Sequence, residues 1–274
     1  MYPIGLSSCA FALTEENFQA LRAAGVDAIE VTQKLDGHLS LNCKEVAALA
    51  DKHGIRLWSY HLPFSPFRII DISSADAEVR KYTLDTLTGL IQKAADAGLD
   101  KFVIHASGEP IEDAKREERM KYSMESLDHL AELAAREGAV IAVEDLPRTC
   151  LGNTAEDILR LISANDKLRV CLDTNHLLKE DNVRFVEAVG ERIITLHVSD
   201  YDFIDEKHWL PGEGLNDWNA IYAALQRVNY KGVWMYELGR KAPASMPRSR
   251  DLTFEDFVRN AREIFAGAPL TRIE

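Results

Sequence analysis

The chain of 274 residues reads as a single α/β domain over residues 1–274, an eight-stranded (β/α)8 barrel, and three observations predict it. Short runs of Val, Ile, Leu and Ala recur eight times, each followed by a longer stretch with helical spacing, the alternation that builds parallel βα units. Glycines close the helices of AAGVD, KHGIR, DAGLD and REGAV, where the left-handed conformation suits a residue without Cβ, and a strand follows each at once. Eight such units in about 270 residues match the size and order of a barrel, whose functional groups sit at the C-terminal ends of its strands. A doubly wound open sheet is the competing fold. It requires a glycine-rich phosphate loop after the first strand, where the sequence reads LSSCAFALTEEN.

Taken in order, the first strand covers Ile4 to Cys9, and Thr14 caps an acidic helix start over Glu15 to Ala24. Ala28 to Val31 is the second strand, followed by a helix over Lys44 to His53. The third strand, Arg56 to His61, leads to a helix over Ala77 to Ala97, and the fourth, Lys101 to Ala106, to one over Glu117 to Glu137. The mixed-sign start of that helix, EDAKREERMK, reads as a solvated face. The fifth strand ends VIAVE at Glu144, and Asn153-Thr154 open the helix Thr154 to Ser163. Arg169 to Asp173 and Ile193 to Val198 are strands six and seven, with helices over Val183 to Val189 and Trp218 to Val228. Gly232 to Glu237 is the eighth strand, and Thr253 opens the last helix, Thr253 to Phe265.

Composition narrows the function classes. With 46% apolar and 28% charged residues the chain can bury a large core, which excludes a disordered or collagen-like polymer. A net charge of -12 disfavours nucleic acid as a partner, although a local basic groove stays compatible with it. No apolar run approaches the roughly 18 residues of a membrane span, and MYPIGLSSCAF lacks a basic signal region, so the expected location is the cytoplasm, with no membrane partner and room for a homo-oligomer. Cys9, Cys43, Cys150 and Cys171 are scattered and read as reduced thiols.

The strand ends carry the chemistry. Glu30, His61, His105, Glu144, Asp173, His197 and Glu237 close seven of the eight strands, whereas 44 acids and 8 histidines among 274 residues make such a group about a one-in-five occurrence. Any one of them alone would read as a surface or cap residue; jointly they converge on the barrel mouth. Glu144, Asp173 and Glu237 each follow an apolar strand, and burying an anion is costly unless it is paired or bound to a cation. A divalent metal answers that cost, and three carboxylates with the His197 imidazole suit Mn, Mg, Co or Zn. His176, three residues after Asp173, can reach the substrate or a second metal. Glu144 and Glu237 can also act as a base and acid pair, taking and returning a proton beside a carbonyl.

These segments resemble the xylose isomerase-like barrel superfamily, which includes sugar-phosphate isomerases, ketose 3-epimerases and endonuclease IV. The resemblance runs over nearly the whole chain and is carried by YHLPF with His61, VIHAS with His105, VEDLP with Glu144, CLDTNH with Asp173 and His176, LHVSD with His197, HWLPGEG with His208, and YEL with Glu237. It implies Glu144, Asp173, His197 and Glu237 as metal ligands, Glu144 and Glu237 as the proton-transfer pair, and His176 against the substrate hydroxyls. The implied activity is metal-dependent isomerisation or epimerisation of a sugar, sugar phosphate or polyol through an enediolate.

One departure matters. Ketose 3-epimerases carry an Arg six residues after the strand-seven histidine, and this chain has Phe203. The segment YDFIDEKHWLPGEG resembles instead the part of endonuclease IV that supplies an acid and a histidine before a GEG turn, here Glu206 and His208. With His61, His105 and His176, the resemblance gives every position of that enzyme's three-zinc site a counterpart, with Glu206 where that family has an aspartate, so an apurinic-site phosphodiesterase is the alternative. A binding barrel without turnover would have lost ligands, and none is lost. His61, His105, His176, His208, Trp209 and Arg240 are further expected to line the substrate pocket, with Phe64 and Phe67 as an apolar wall. Arg240, Lys241, Arg248 and Arg250 follow strand eight with no acid between them and read as a basic rim for a substrate anion.

Overall fold

Inward and outward residues alternate along each strand, so a strand that ends on an inward position delivers that side chain to the barrel axis. The computed structural model describes residues 1–273 and shows eight parallel strands with helices around them. The order is β1 (Ile4–Ser7), α1 (Glu15–Ala24), β2 (Ala28–Val31), α2 (Leu35–Ser40), α3 (Cys43–Lys52), β3 (Arg56–His61), α4 (Ala77–Ala95), β4 (Lys101–His105), α5 (Arg116–Arg136), β5 (Val140–Glu144), α6 (Ala155–Ile162), β6 (Arg169–Asp173), α7 (Asn182–Val189), β7 (Ile193–His197), α8 (Trp218–Arg227), β8 (Trp234–Tyr236) and α9 (Phe254–Ala266). Consecutive strands pair in parallel from β1 to β7, and β8 pairs with β1. The last seam closes where Val198 N–H donates to the Met235 carbonyl at 2.7 Å and Glu237 N–H to the Val198 carbonyl at 3.2 Å. Among the described residues no helix is long and apolar enough to cross a membrane.

The predicted caps are in place. Thr14 accepts from Asn17 N–H ahead of α1, Thr154 from Asp157 N–H ahead of α6, and Thr253 forms a reciprocal capping box with Asp256 at α9. Gly25 at the end of α1 takes φ of +92°, the conformation the AAGVD signal requires.

Three differences from the sequence reading stand out beside shifts of one or two residues at other element ends. β1 stops at Ser7, because the Ser8 hydroxyl both donates to the Thr32 carbonyl and accepts Thr32 N–H, drawing the chain into a short 3-10 turn. α2 was not anticipated; His38, held by Tyr60 Oη at 2.7 Å and by Gln33 N–H, anchors this short glycine-containing helix through tertiary contacts. β8 has only three residues, so Glu237 stands one position past it rather than on it.

Outward residues such as Leu6, Ile29, Phe102, Ile141, Val170 and Leu196 join the helices in one large apolar core. Inside the barrel the lower levels are filled by two small clusters, Ala28, Trp58, Val233 and Met235, and Val103, Ala142 and Cys171. Two residues beyond Ala28, Val103, Ala142 and Cys171 come Glu30, His105, Glu144 and Asp173. The same period of two that packs the interior therefore raises the polar groups to the mouth.

Candidate active site at the barrel mouth

Glu144, at the end of β5, is the hub. Its Oε2 lies 3.1 Å from both His61 Nε2 and His105 Nε2, and its Oε1 lies 2.9 Å from His197 Nδ1. Glu237 Oε2 approaches the same His197 nitrogen at 3.2 Å, and the other ring nitrogen, Nε2, meets Glu30 Oε1 at 3.0 Å. His176 stands over the next edge, with Nε2 3.6 Å from Asp173 Oδ2 and 3.4 Å from Glu206 Oε2. Its Nδ1 is 2.8 Å from the Asp145 carbonyl, which sets the ring.

The loop after β7 is placed by two buried polar residues. Asp200 accepts from the backbone N–H groups of Tyr201, Gly212, Gly214 and Asn216 and from Trp218 Nε1–H, so one carboxylate folds the whole segment. Asn175 Oδ1 accepts the N–H groups of Lys207 and His208 at 2.8 and 3.1 Å, which aims Glu206 and His208 at the mouth. His208 takes φ of +50°, and its Nδ1 lies 3.0 Å from the Glu237 carbonyl.

Burial and charge compete at each group. For Glu144, burial opposes ionisation but His197 and His105 more than offset it, holding the carboxyl well below its ordinary range. His61 is disfavoured as a cation by burial, yet Glu144 raises it to about 9. Asp173 is pushed up to about 6, chiefly by burial, and Asp145 well above the usual carboxylate range for the same reason. Glu206, bonded to His176, is drawn down to about 2.

Three sets of ligand atoms lie within 4.8 Å of one another: Glu144, Asp173, His197 and Glu237; His61, Glu144 and His197; and His176, Glu206 and His208. A divalent cation fits this chemistry. Asp173 Oδ2 is buried without a hydrogen-bond partner, and an orphaned carboxylate oxygen among histidines and carboxylates is what a bound cation would satisfy. The group opens into a cavity of about 470 Å³ lined by His61, His105, His176, His208, Glu206 and Glu237 among others, with Phe64 and Phe67 on its apolar side. Phe64 stacks on the His105 ring, centroids 4.0 Å apart.

Two expected pocket residues stand elsewhere. Trp209 is buried in the loop, its Nε1–H donating to Ser245 Oγ, and it is not on the cavity wall. Arg240 lies over the Phe254 ring at 4.6 Å and donates to the Leu252 carbonyl. Most of the expected basic rim goes with it: Arg248 is buried against Glu213 and Arg250 pairs with Asp256, which leaves Lys241 as the exposed member. These guanidiniums build the loop into α9 instead of facing a ligand.

Other wall residues were not anticipated. Arg148, in the loop after β5, binds Glu109 from the loop after β4 and Asp205 and Glu206 from the loop after β7. Among the described residues it is the lone Arg or Lys on the cavity wall. No local pattern in VEDLPRTC marks it, because its partners are 39 to 58 residues away. Phe203, at the position where the resemblance leads one to expect an Arg, packs its ring at a tilt against Tyr201, centroids 4.5 Å apart, and is not on the cavity wall.

Residues 18–256 match the family model described as xylose isomerase-like TIM barrel. An uncharacterized protein of Methanocaldococcus jannaschii is 27% identical over 241 residues, covering 84% of this chain and 78% of that protein. The 3-dehydro-D-guloside 4-epimerase of Escherichia coli is 27% identical over 236 residues, covering 81% and 86%. Among solved structures, a D-tagatose 3-epimerase-like protein superposes with a TM-score of 0.80 at 22% identity over 97% of both chains. The 3-keto-D-glucoside 4-epimerase of E. coli does so with 0.73 at 21%, covering 89% of this chain and 95% of that one, and these two structural likenesses speak for the fold. With its eight parallel strands and the match over residues 18–256, the chain belongs to the xylose isomerase-like TIM barrel family.

Proposed function

We propose that the protein is a divalent-metal-dependent sugar epimerase or isomerase, with Glu144, Asp173, His197 and Glu237 as the metal ligands and Glu144 and Glu237 as the proton-transfer pair. The observation that carries this reading is the pair of carboxylates on one imidazole nitrogen: Glu144 Oε1 and Glu237 Oε2 stand 2.9 and 3.2 Å from His197 Nδ1 while Glu237 lines the cavity. When bound, a metal ion would polarise the substrate carbonyl and a neighbouring hydroxyl, so that the adjoining carbon gives up its proton more readily. One glutamate removes that proton and the other returns one, to the opposite face in an epimerisation or to the neighbouring carbon in an isomerisation. His61, His105, His176 and His208 face the same cavity and can donate to substrate hydroxyls; the relatives named as sugar epimerases support that substrate class.

The test is solvent exchange. Metal-loaded protein incubated with a panel of ketoses and keto-glycosides in D2O should place deuterium at the carbon beside the carbonyl of its substrate, and Glu144→Gln and Glu237→Gln should not. Exchange in either variant at the wild-type rate would refute the pair.

The clustering of His176, Glu206 and His208 within 4.8 Å, beside His61 and His105 on Glu144, favours one alternative, an endonuclease IV-like phosphodiesterase with three zinc ions. Three zinc ions per chain together with cleavage of an abasic duplex would establish it over the sugar reading. The commitment of Arg240, Arg248 and Arg250 to internal contacts weighs against it, since a duplex is gripped through its phosphates.

A further inference from the structure

Glu30 is one of the seven strand-end groups, yet neither the ligand set nor the proton-transfer pair uses it. It is fully buried and does not line the cavity, so it does not touch a substrate there. A buried carboxylate without a task is costly, and its contacts show what it does. Its Oε1 and Oε2 lie 3.0 and 3.1 Å from His197 Nε2. Ser59 Oγ donates to Oε2 at 2.7 Å, and Thr32 Oγ1 to Oε1 at 3.5 Å. Glu30 thus comes from β2, is steadied from β3, and reaches β7 across 167 residues of sequence.

We propose that Glu30 is a positioning residue for the metal centre, orienting the His197 ring through Nε2 so that Nδ1 faces Glu144 and Glu237. The two nitrogens of His197 have separate partners, Glu30 on one side and the Glu144 and Glu237 carboxylates on the other. When Nε2 carries the hydrogen and donates it to Glu30, Nδ1 keeps its lone pair for an ion. A ring rotated by half a turn about its Cβ–Cγ bond would lose both sets of contacts. A ligating histidine held through its second nitrogen by a carboxylate is a better base and loses less entropy on binding the ion.

The inference rests on the metal site proposed above, and the experiment separates the two. Chelator-stripped wild type, Glu30→Gln and Glu30→Ala are titrated with Mn2+ and with Zn2+ by calorimetry, and the melting temperature of each metal-free form is recorded. Glu30→Ala should bind metal about 10- to 100-fold more weakly, and Glu30→Gln, which keeps an acceptor at the same place, should recover part of that loss. If Glu30→Ala does not fold, Glu30→Gln still reports, with a loss of several-fold expected. Wild-type affinity in both variants, or in Glu30→Gln alone where Glu30→Ala fails to fold, would overturn the role of Glu30 and leave the metal site standing, even if their melting temperatures fall. A wild type that binds neither ion would overturn the metal reading and this inference together.

Discussion

At the lower end of the barrel the inward side chains are Ala28, Trp58, Val233 and Met235; two residues further along β2 the corresponding position holds Glu30, and at the mouth stand His105, Glu144, Asp173 and His197. At the lower end the inward polar atom is satisfied. Trp58 Nε1–H donates to Thr195 Oγ1 at 3.0 Å, and Arg56 and Lys101 lie over its ring at 4.4 and 4.3 Å, closing the interior with an aromatic plug under two cations. The mouth is not. Asp173 Oδ2, Asp145 Oδ2, Asn175 Nδ2 and Ser7 Oγ are buried there without hydrogen-bond partners. One set of strands thus supports two environments separated by about 7 Å of strand, two residues at roughly 3.3 Å each. Apolar side chains pack the inward face at the lower end, and at the mouth the same face leaves the Asp173 Oδ2 oxygen for a ligand to complete.

The comparison predicts that substitutions at the two ends fail in different ways. The largest effect is expected at the mouth: Glu144→Gln should lower turnover by at least about 10²- to 10⁴-fold, the usual worth of a positioned acid or base, with an unchanged circular dichroism spectrum. At the lower end, Trp58→Ala should cost about 3–5 kcal/mol in urea unfolding, while the folded fraction keeps its turnover per molecule. Loss of turnover from the Trp58 variant in proportion greater than its loss of fold would break the separation.

Between these lies Gly214→Ala. An added Cβ would fall inside contact distance of Asp200 Oδ1 and the Tyr201 carbonyl, so the loop carrying Glu206 and His208 must shift. A loss of about 1–3 kcal/mol is expected, together with a raised KM, measurable by unfolding and steady-state kinetics. Arg148→Met should do less to stability, about 1 kcal/mol or under, because its ion pairs are part-exposed and screened. Its signature should be kinetic, a rise in KM as the loops after β4, β5 and β7 lose their common tie.

The smallest effect concerns acid. Glu206 titrates near 2 in the folded chain, below the roughly 4.3 of an unfolded glutamate. A depressed carboxyl stabilises the fold above its unfolded value, and that contribution fades as pH falls toward the folded one. The difference in unfolding free energy between wild type and Glu206→Gln should therefore be constant above about pH 5 and shrink toward pH 3. A gap that widens in acid would contradict the pairing of Glu206 with His176 and Arg148.

The convergence of Glu144, Asp173 and His197 was legible because it follows from a local rule. Each ends an apolar strand, and a period of two sends strand-end residues of matching parity to the same axis. Glu237 was legible for the same reason although β8 stops one residue earlier, since the seam to Val198 carries the strand direction past its last ladder pair. Trp209 and Arg240 were misplaced because loops obey no such period. Trp209 turns inward to Ser245 and Arg240 onto Phe254, partners 36 and 14 residues away that no spacing rule connects. Glu30 was visible as a strand-end acid, but its partner lies on β7, 167 residues away across the barrel interior.

The barrel, the caps that start its helices and the strand-end groups at its mouth follow from the order of residues alone, since periodicity and capping are properties of neighbouring residues. Which groups share a nitrogen, which arginines go to internal pairs, and which loop Arg148 and Asp200 tie into place come from the folded arrangement. Those outcomes depend on distances between residues far apart in the chain, which closure of the sheet sets to within hydrogen-bond reach and which no local pattern encodes.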